Sequence, residues 1–236
     1  MKILVAGASG GIGSEVVRLL SATGAVLGAH YHRTVPANAG DRIKPFKADL
    51  SKPAAAAKLV ADFARWAGGI DALIQLNGGA HPADIDSATP RQWQADLDLN
   101  LTAPFFLARE AMKRMPPSGG RIVLCGTASS AHGGGSRTMA YGAAKAGLEC
   151  VTKGLAREGA PRNILVNAVC PGFIDTAFHT RHAGRTAAEL KKRAALVPLG
   201  RAGTPLEVAG LIAFLMSDHA GYITGQCIAI SGGDWL

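Results

Sequence analysis

The stretch Lys2-Ile3-Leu4-Val5-Ala6-Gly7-Ala8-Ser9-Gly10-Gly11-Ile12-Gly13 decides how this chain is read. Its first five residues form an apolar run too short for a helix and suited to a parallel strand covered on both faces. The glycines then end that run. Ile12, Val16, Val17, Leu19 and Leu20 recur at helical spacing, Gly24 marks the helix end, and a second strand is expected over 25–31. In such a βαβ opening, glycines at 7, 11 and 13 let the backbone turn tightly, approach an anion and seat the helix on the sheet. The helix N-terminus, from Gly10 and Ile12 onward, presents unpaired N–H groups to a pyrophosphate. Ser9 either adds a hydroxyl to that cradle or satisfies the turn. A glycine-rich turn alone is also an ordinary βα connection, so its placement carries the weight.

Working outward, further strands are expected at 43–48, 72–76, 121–125, 165–169 and 227–230, with helices at 54–66, 91–115, 139–157 and 206–216. Alternation of this kind predicts an α/β fold, a doubly wound, mostly parallel seven-stranded sheet with helices on both faces and ligands beyond the strand C-termini. The longest irregular stretch, 172–203, reads as a substrate cover with a short helix over 187–195.

The chain has 236 residues, 48% of them hydrophobic, which suits one domain spanning 1–236. No apolar run approaches the ~20 residues of a membrane span and no cleavable signal opens the chain, so a soluble cytoplasmic protein is expected. Cys125, Cys150, Cys170 and Cys227 are scattered among apolar neighbours without ligand spacing, which predicts free buried thiols and no metal. The formal charge of +8 is spread along the chain, arguing against nucleic acid and suiting phosphorylated cofactors or acidic carrier proteins.

Tyr141 and Lys145 lie one turn apart on one helix face, where an ammonium beside a phenol is expected to lower its pKa for acid-base work. At the end of the second strand an NAD site usually places an acid, but the chain reads Ala29-His30-Tyr31-His32-Arg33-Thr34. Arg33 suits a 2′-phosphate, so NADP(H) is favoured over NAD(H), the alternative being a surface arginine. Asp49, followed by Leu50, accepts from an adenine amino group or caps the next helix.

Together these residues resemble the classical short-chain dehydrogenase/reductases over nearly the whole chain. Gly7, Gly11 and Gly13 match TGxxxGxG, with Ala6 in place of its threonine, and Tyr141 and Lys145 match YxxxK. Asn100 matches the asparagine of the long fourth helix, and Pro171-Gly172, with Ile174 and Thr176, matches the nicotinamide-side segment. The resemblance implies a homotetramer or dimer in which Phe105, Phe106 and Leu148 lie at the interface or in the monomer core. It also implies hydride transfer between NADP(H) and a carbonyl or secondary alcohol, closest to 3-oxoacyl-[acyl-carrier-protein] reductases. Tyr141 would then donate the proton, Lys145 lower the phenol pKa and bind ribose, and Asn100 hold a relay water.

Besides Ala6, two segments depart from the pattern. Thirteen residues before Tyr141, where the family has a serine, stands Ala128; aligning the strand instead puts Thr127 in that role, ahead of Ser129, with Ser130 behind both. The NNAG motif reads Gln75-Leu76-Asn77-Gly78 followed by Gly79, and Asn77 is either a cofactor contact or a turn residue. These departures keep a second reading open, a non-catalytic NADP(H)-binding regulatory protein. His81, His132, His179 and His182 either contact substrate or, as loop histidines more often are, stand in solvent; Trp66, Trp93 and Trp235 are expected to pack, and Asp84 and Asp86 to be loop acids.

Overall fold

The apolar runs pair into one parallel sheet because each is too hydrophobic to leave a face in water. The structure, a computed structural model, describes residues 1–37, 40–52, 54–183 and 186–234, the side chains of 181–183 excepted. Trp235 and Gly184, and the side chain of His182, lie outside the described residues. Strands β1 (Lys2–Ala6), β2 (Val26–Tyr31), β3 (Ile43–Lys47), β4 (Ala72–Gln75), β5 (Gly120–Cys125), β6 (Ile164–Pro171) and β7 (Cys227–Ile230) lie in the order β3-β2-β1-β4-β5-β6-β7. All the pairings are parallel.

Helix α1 (Gly11–Ser21) and α8 (Pro205–Leu215) contribute Val16, Val17, Leu20, Val208 and Ile212 to the core on one face of the sheet. On the other, α2 (Ala54–Ala67), α4 (Ala103–Met112) and α5 (Met139–Gly159) bury Phe63, Leu107, Leu148 and Leu155. Leu148 is fully buried within this chain, and Phe105 and Phe106 pack partly against the same core. Trp66 packs edge-on against Phe46, whereas Trp93 is 44% exposed because its helix α3 (Pro90–Leu97) faces solvent there. The cysteines are free, but only Cys170 is buried; Cys150 is exposed because it falls on the outer face of α5.

Between β1 and β4 the chain reverses its direction of winding, opening a crevice at the strands' carboxyl ends. The expected single helix at 91–115 is instead α3, a π-helical turn over Asp98–Thr102, and α4. Pro104 has no N–H to offer the Asn100 carbonyl, so the α-helical ladder breaks there and Ala103 N–H reaches back to Asp98 O. The segment at 172–203 also holds more helix than expected: α6 (Phe178–Ala183) precedes α7 (Ala187–Ala195). Among the described residues, no helix is long and apolar enough to cross a membrane.

His30, only 2% exposed on β2, joins three elements. Its Nδ1 accepts from Gly7 N–H at 3.0 Å, which places the proton on Nε2, 3.2 Å from the Ala48 carbonyl. Burial is the main cause that lowers its pKa to about 4, so the ring stays neutral. A histidine inside an apolar strand was the available signal for this buried link.

Two stability measurements follow from these contacts. A Cβ at Gly28 would stand 2.4 Å from Phe63 Cδ2, so Gly28→Ala is expected to cost about 1–3 kcal/mol in urea unfolding. Between pH 6.5 and about 4 the unfolded chain protonates His30 while the folded one does not. Stability therefore falls as pH drops through that window, by about 3 kcal/mol at ~1.4 kcal/mol per pK unit. His30→Asn, which keeps an acceptor for Gly7, is expected to flatten this part of the stability profile.

Candidate active site

The glycine turn sits at the mouth of the crevice, and its glycines are sterically required. Gly7 has φ of +90°, and a Cβ there would lie 2.6 Å from Asn77 N; a Cβ at Gly13 would lie 2.1 Å from Gly7 O. Gly10 caps α1 without a side-chain bond, leaving the helix start open to an anion. A Cβ at Gly11 would stand 3.0 Å from Thr176 Cγ2, so the segment after β6 faces the turn across a narrow gap. Ser9 is half-buried beside the turn.

At the end of β2, Arg33 and His32 are exposed, and among the described residues no carboxylate pairs with Arg33. The Asp49 carboxylate accepts from Ser51 N–H at 3.1 Å and Ser51 Oγ at 2.6 Å, with His32 Nε2 at 3.8 Å. The Ser51 hydroxyl is the main cause holding this carboxyl below its ordinary range. The carboxylate thus closes a turn on Ser51 ahead of α2, and Leu50 beside it is buried in the core. Gln75 is fully buried and holds the altered motif together. Its Nε2 donates to Asn77 O at 2.5 Å and Oδ1 at 3.2 Å, and its Oε1 accepts from Cys125 N–H at 3.4 Å. Asn77 Nδ2 is left buried and unpartnered beside the glycine turn.

Tyr141 and Lys145 project from the first turns of α5 into a cavity of about 220 Å³. Ile12, Gly78, Thr127, Ser129, Pro171, Gly172, Ile174 and Thr176 line the same cavity, so segments far apart in sequence converge on it. Lys145 is 2% exposed; its Nζ donates to Cys125 O at 2.6 Å and lies 5.7 Å from the Tyr141 ring centre. Thr127 Oγ1 lies 3.1 Å from Ser129 Oγ, and both residues line the cavity with Tyr141. Ser130 turns away toward Glu149.

The expected lowering of the phenol pKa is reversed here. Burial pushes the Tyr141 phenol well above its usual value and also lowers Lys145, because both charged forms lose water. The ammonium, committed to a carbonyl and standing off the ring, does not outweigh that loss.

Asn100, fully buried in the π turn, clamps Gly79: Nδ2 donates to Gly79 O at 2.8 Å and Asp96 O at 2.9 Å, and Oδ1 accepts from Gly79 N–H at 3.3 Å. A Cβ at Gly78 would lie 3.0 Å from Asn100 Oδ1 and 3.6 Å from Lys145 Nζ, so glycine there keeps these groups neighbours. His81 is not merely solvated: its Nδ1 lies 2.7 Å from the carboxylate of Asp96, which is 1% exposed. Asp84 pairs with Arg137 at 3.0 Å. His179 lines the cavity, packed at 4.5 Å on Phe173, with Phe178 and Arg193 beside it. Arg193 lies over Phe173 at 5.1 Å and bonds Asp234 at 2.5 Å. The wall lies within the stretch 172–203 expected to cover the substrate; that Phe173, Phe178 and Arg193 are the side chains reaching the cavity follows from the packing of α6 and α7.

Comparison with known proteins agrees with this architecture. A profile of the family described as enoyl-(acyl carrier protein) reductase matches residues 7–234. The chain is 38% identical to nodulation protein G of Rhizobium meliloti (strain 1021), covering 98% of this chain and 96% of the relative. It is 36% identical to acetoacetyl-CoA reductase of Shinella zoogloeoides, covering 99% and 98%. The 3-oxoacyl-[acyl-carrier-protein] reductase of Escherichia coli (strain K12) is 33% identical, with 99% and 96% covered. Among solved structures, a short-chain dehydrogenase/reductase from Serratia marcescens BCRC 10948 superposes with TM-score 0.89 at 29% identity, covering 99% of this chain and 97% of that one. A blue fluorescent protein from a metagenomic library, in complex with NADPH, gives 0.87 at 28%, covering 98% and 97%.

Proposed function

The chain belongs to the short-chain dehydrogenase/reductases, and from that premise we propose that it is an NADP(H)-dependent reductase of ketones, 3-oxoacyl thioesters among them. The observation that carries this reading is the convergence of Tyr141, Lys145 and Thr127 on one cavity beside the glycine turn. Support for NADP(H) over NAD(H) comes from Arg33, exposed where an acid would exclude a 2′-phosphate, and from the similar fold bound to NADPH. Similarity to acetoacetyl-CoA and 3-oxoacyl-carrier reductases supports the substrate class. Assembly into a dimer or tetramer and a cytoplasmic location belong to the same proposal.

The residues present fit a dinucleotide. Gly7 and Gly13 permit a turn so close that a Cβ would clash with backbone, a Cβ at Gly11 would crowd the gap to Thr176, and Asn77 offers an unsatisfied buried amide beside them. The turn and the start of α1 would hold the pyrophosphate, Arg33 the 2′-phosphate, Lys145 the nicotinamide ribose, and the segment from Pro171 to Thr176 the nicotinamide. When bound, the cofactor supplies the hydride. Tyr141 gives its proton to the carbonyl oxygen, and its raised pKa keeps that proton in place at neutral pH, which suits reduction. Thr127 Oγ1 donates a hydrogen bond to the same oxygen, with Ser129 Oγ supporting it at 3.1 Å. Lys145 stabilises the phenolate left behind. The Asn100 carbonyl, given no N–H by Pro104, accepts a water through which the lysine regains a proton.

Two measurements test this. Purified protein is expected to oxidise NADPH with members of a panel of ketones and 3-oxoacyl thioesters, and Tyr141→Phe to lower kcat by about 10²–10⁴-fold while retaining NADPH binding. Tight NADPH binding without turnover on any member would replace the enzyme reading with a regulatory one. Arg33→Ala is expected to raise the KM for NADPH by about tenfold or more and leave that for NADH unchanged.

A further inference from the structure

Behind the reacting groups, a second set of contacts ties the loop after β5 to the helix that carries Tyr141. Tyr141, Lys145 and Glu149 recur every fourth residue, so they share one face of α5. Glu149 is half-buried, and among the described residues it forms no ion pair; its Oε1 instead accepts from Ser130 Oγ. Ser130 is 8% exposed; its single hydroxyl proton is shared between Glu149 Oε1 and Thr127 O, 2.8 Å away, and its N–H donates to that same carbonyl at 3.3 Å. Ser129 N–H in turn points to Thr127 Oγ1 at 3.4 Å. One carboxylate thus holds the turn that aims both cavity hydroxyls, and it is anchored on the helix that aims the phenol.

We infer that Glu149 is a positioning residue that, through Ser130, sets the Thr127–Ser129 hydroxyl pair against Tyr141. This rests on the reductase reading of the same cavity. A hydrogen bond to a developing alkoxide weakens steeply with misalignment, so a small drift of Thr127 lowers the rate of the chemical step and leaves cofactor binding alone. Gln is an adequate substitute, since its amide either accepts from Ser130 Oγ or donates to it.

The test compares wild type, Glu149→Ala, Ser130→Ala, their double variant and Glu149→Gln, each assayed for kcat and for KM of NADPH and ketone. Glu149→Ala is expected to lower kcat about tenfold with the KM for NADPH unchanged, Ser130→Ala to match it, and the double variant to lose no more than either. Glu149→Gln should restore most of the rate. In a Thr127→Ala background, Glu149→Ala should have no further effect. Additive losses, or an equal loss in the Thr127→Ala background, overturn the inference. The NMR signal of the Thr127 methyl gives a readout independent of turnover: it should shift in Glu149→Ala and return in Glu149→Gln. An unshifted signal overturns the inference even in a protein that reduces nothing, whereas a shifted signal in an inactive wild type counts only against the reductase reading.

Discussion

A lysine ammonium buried to 2% exposure without a carboxylate partner among the described residues is the constraint on which the site depends. Taking such a charge out of water is costly unless fixed acceptors replace the lost hydration. Here the Cys125 carbonyl, at the end of β5, is that acceptor at 2.6 Å, so helix α5 must lie close to the sheet edge. Glycine allows the approach: a Cβ at Gly142 would stand 2.4 Å from Gly133 O, and one at Gly159 would stand 2.6 Å from Ile164 O. Once α5 is seated this closely, Tyr141 and the hydroxyls after β5 are committed to one cavity.

The departures from the family pattern keep this frame intact. Gln75 stands where the pattern has asparagine and still spans from β4 to the Asn77 backbone and to Cys125 N–H. Thr127 supplies a hydroxyl one position before Ala128, where the expected spacing fails. Asn100 stays buried, holding Gly79 through donor and acceptor alike. Gln75 and Thr127 thus each keep a polar contact, whereas Ala6 and Leu76 bring apolar side chains to their places in the pattern.

Much of the fold was legible because strand burial leaves a local trace. The apolar runs at 2–6 and 227–230, the glycine turn and the start of α5 at Met139 were readable from periodicity and punctuation. The π turn was not, although Pro104 marked the place where a long helix had to break. His30 was hidden for a related reason, since its role is to satisfy a backbone donor in another strand's turn. The stretch 172–203 was readable as a cover, but which of its side chains reach the cavity, Phe173, Phe178, His179 and Arg193, was not, because α6 and α7 acquire their relation to the cavity only by packing over it.

By itself, the sequence determined the order of strands and helices, the glycine cradle and the residue types able to move a proton, because these follow from side-chain periodicity and covalent neighbours. Tertiary structure alone decided which hydroxyls share the cavity with Tyr141, where Asn77 and His30 find or lack partners, and the direction in which the phenol's acidity moves. Those outcomes depend on burial and on distances between groups remote in sequence, and loss of water around Tyr141 and Lys145 exceeds the effect of their spacing on the helix.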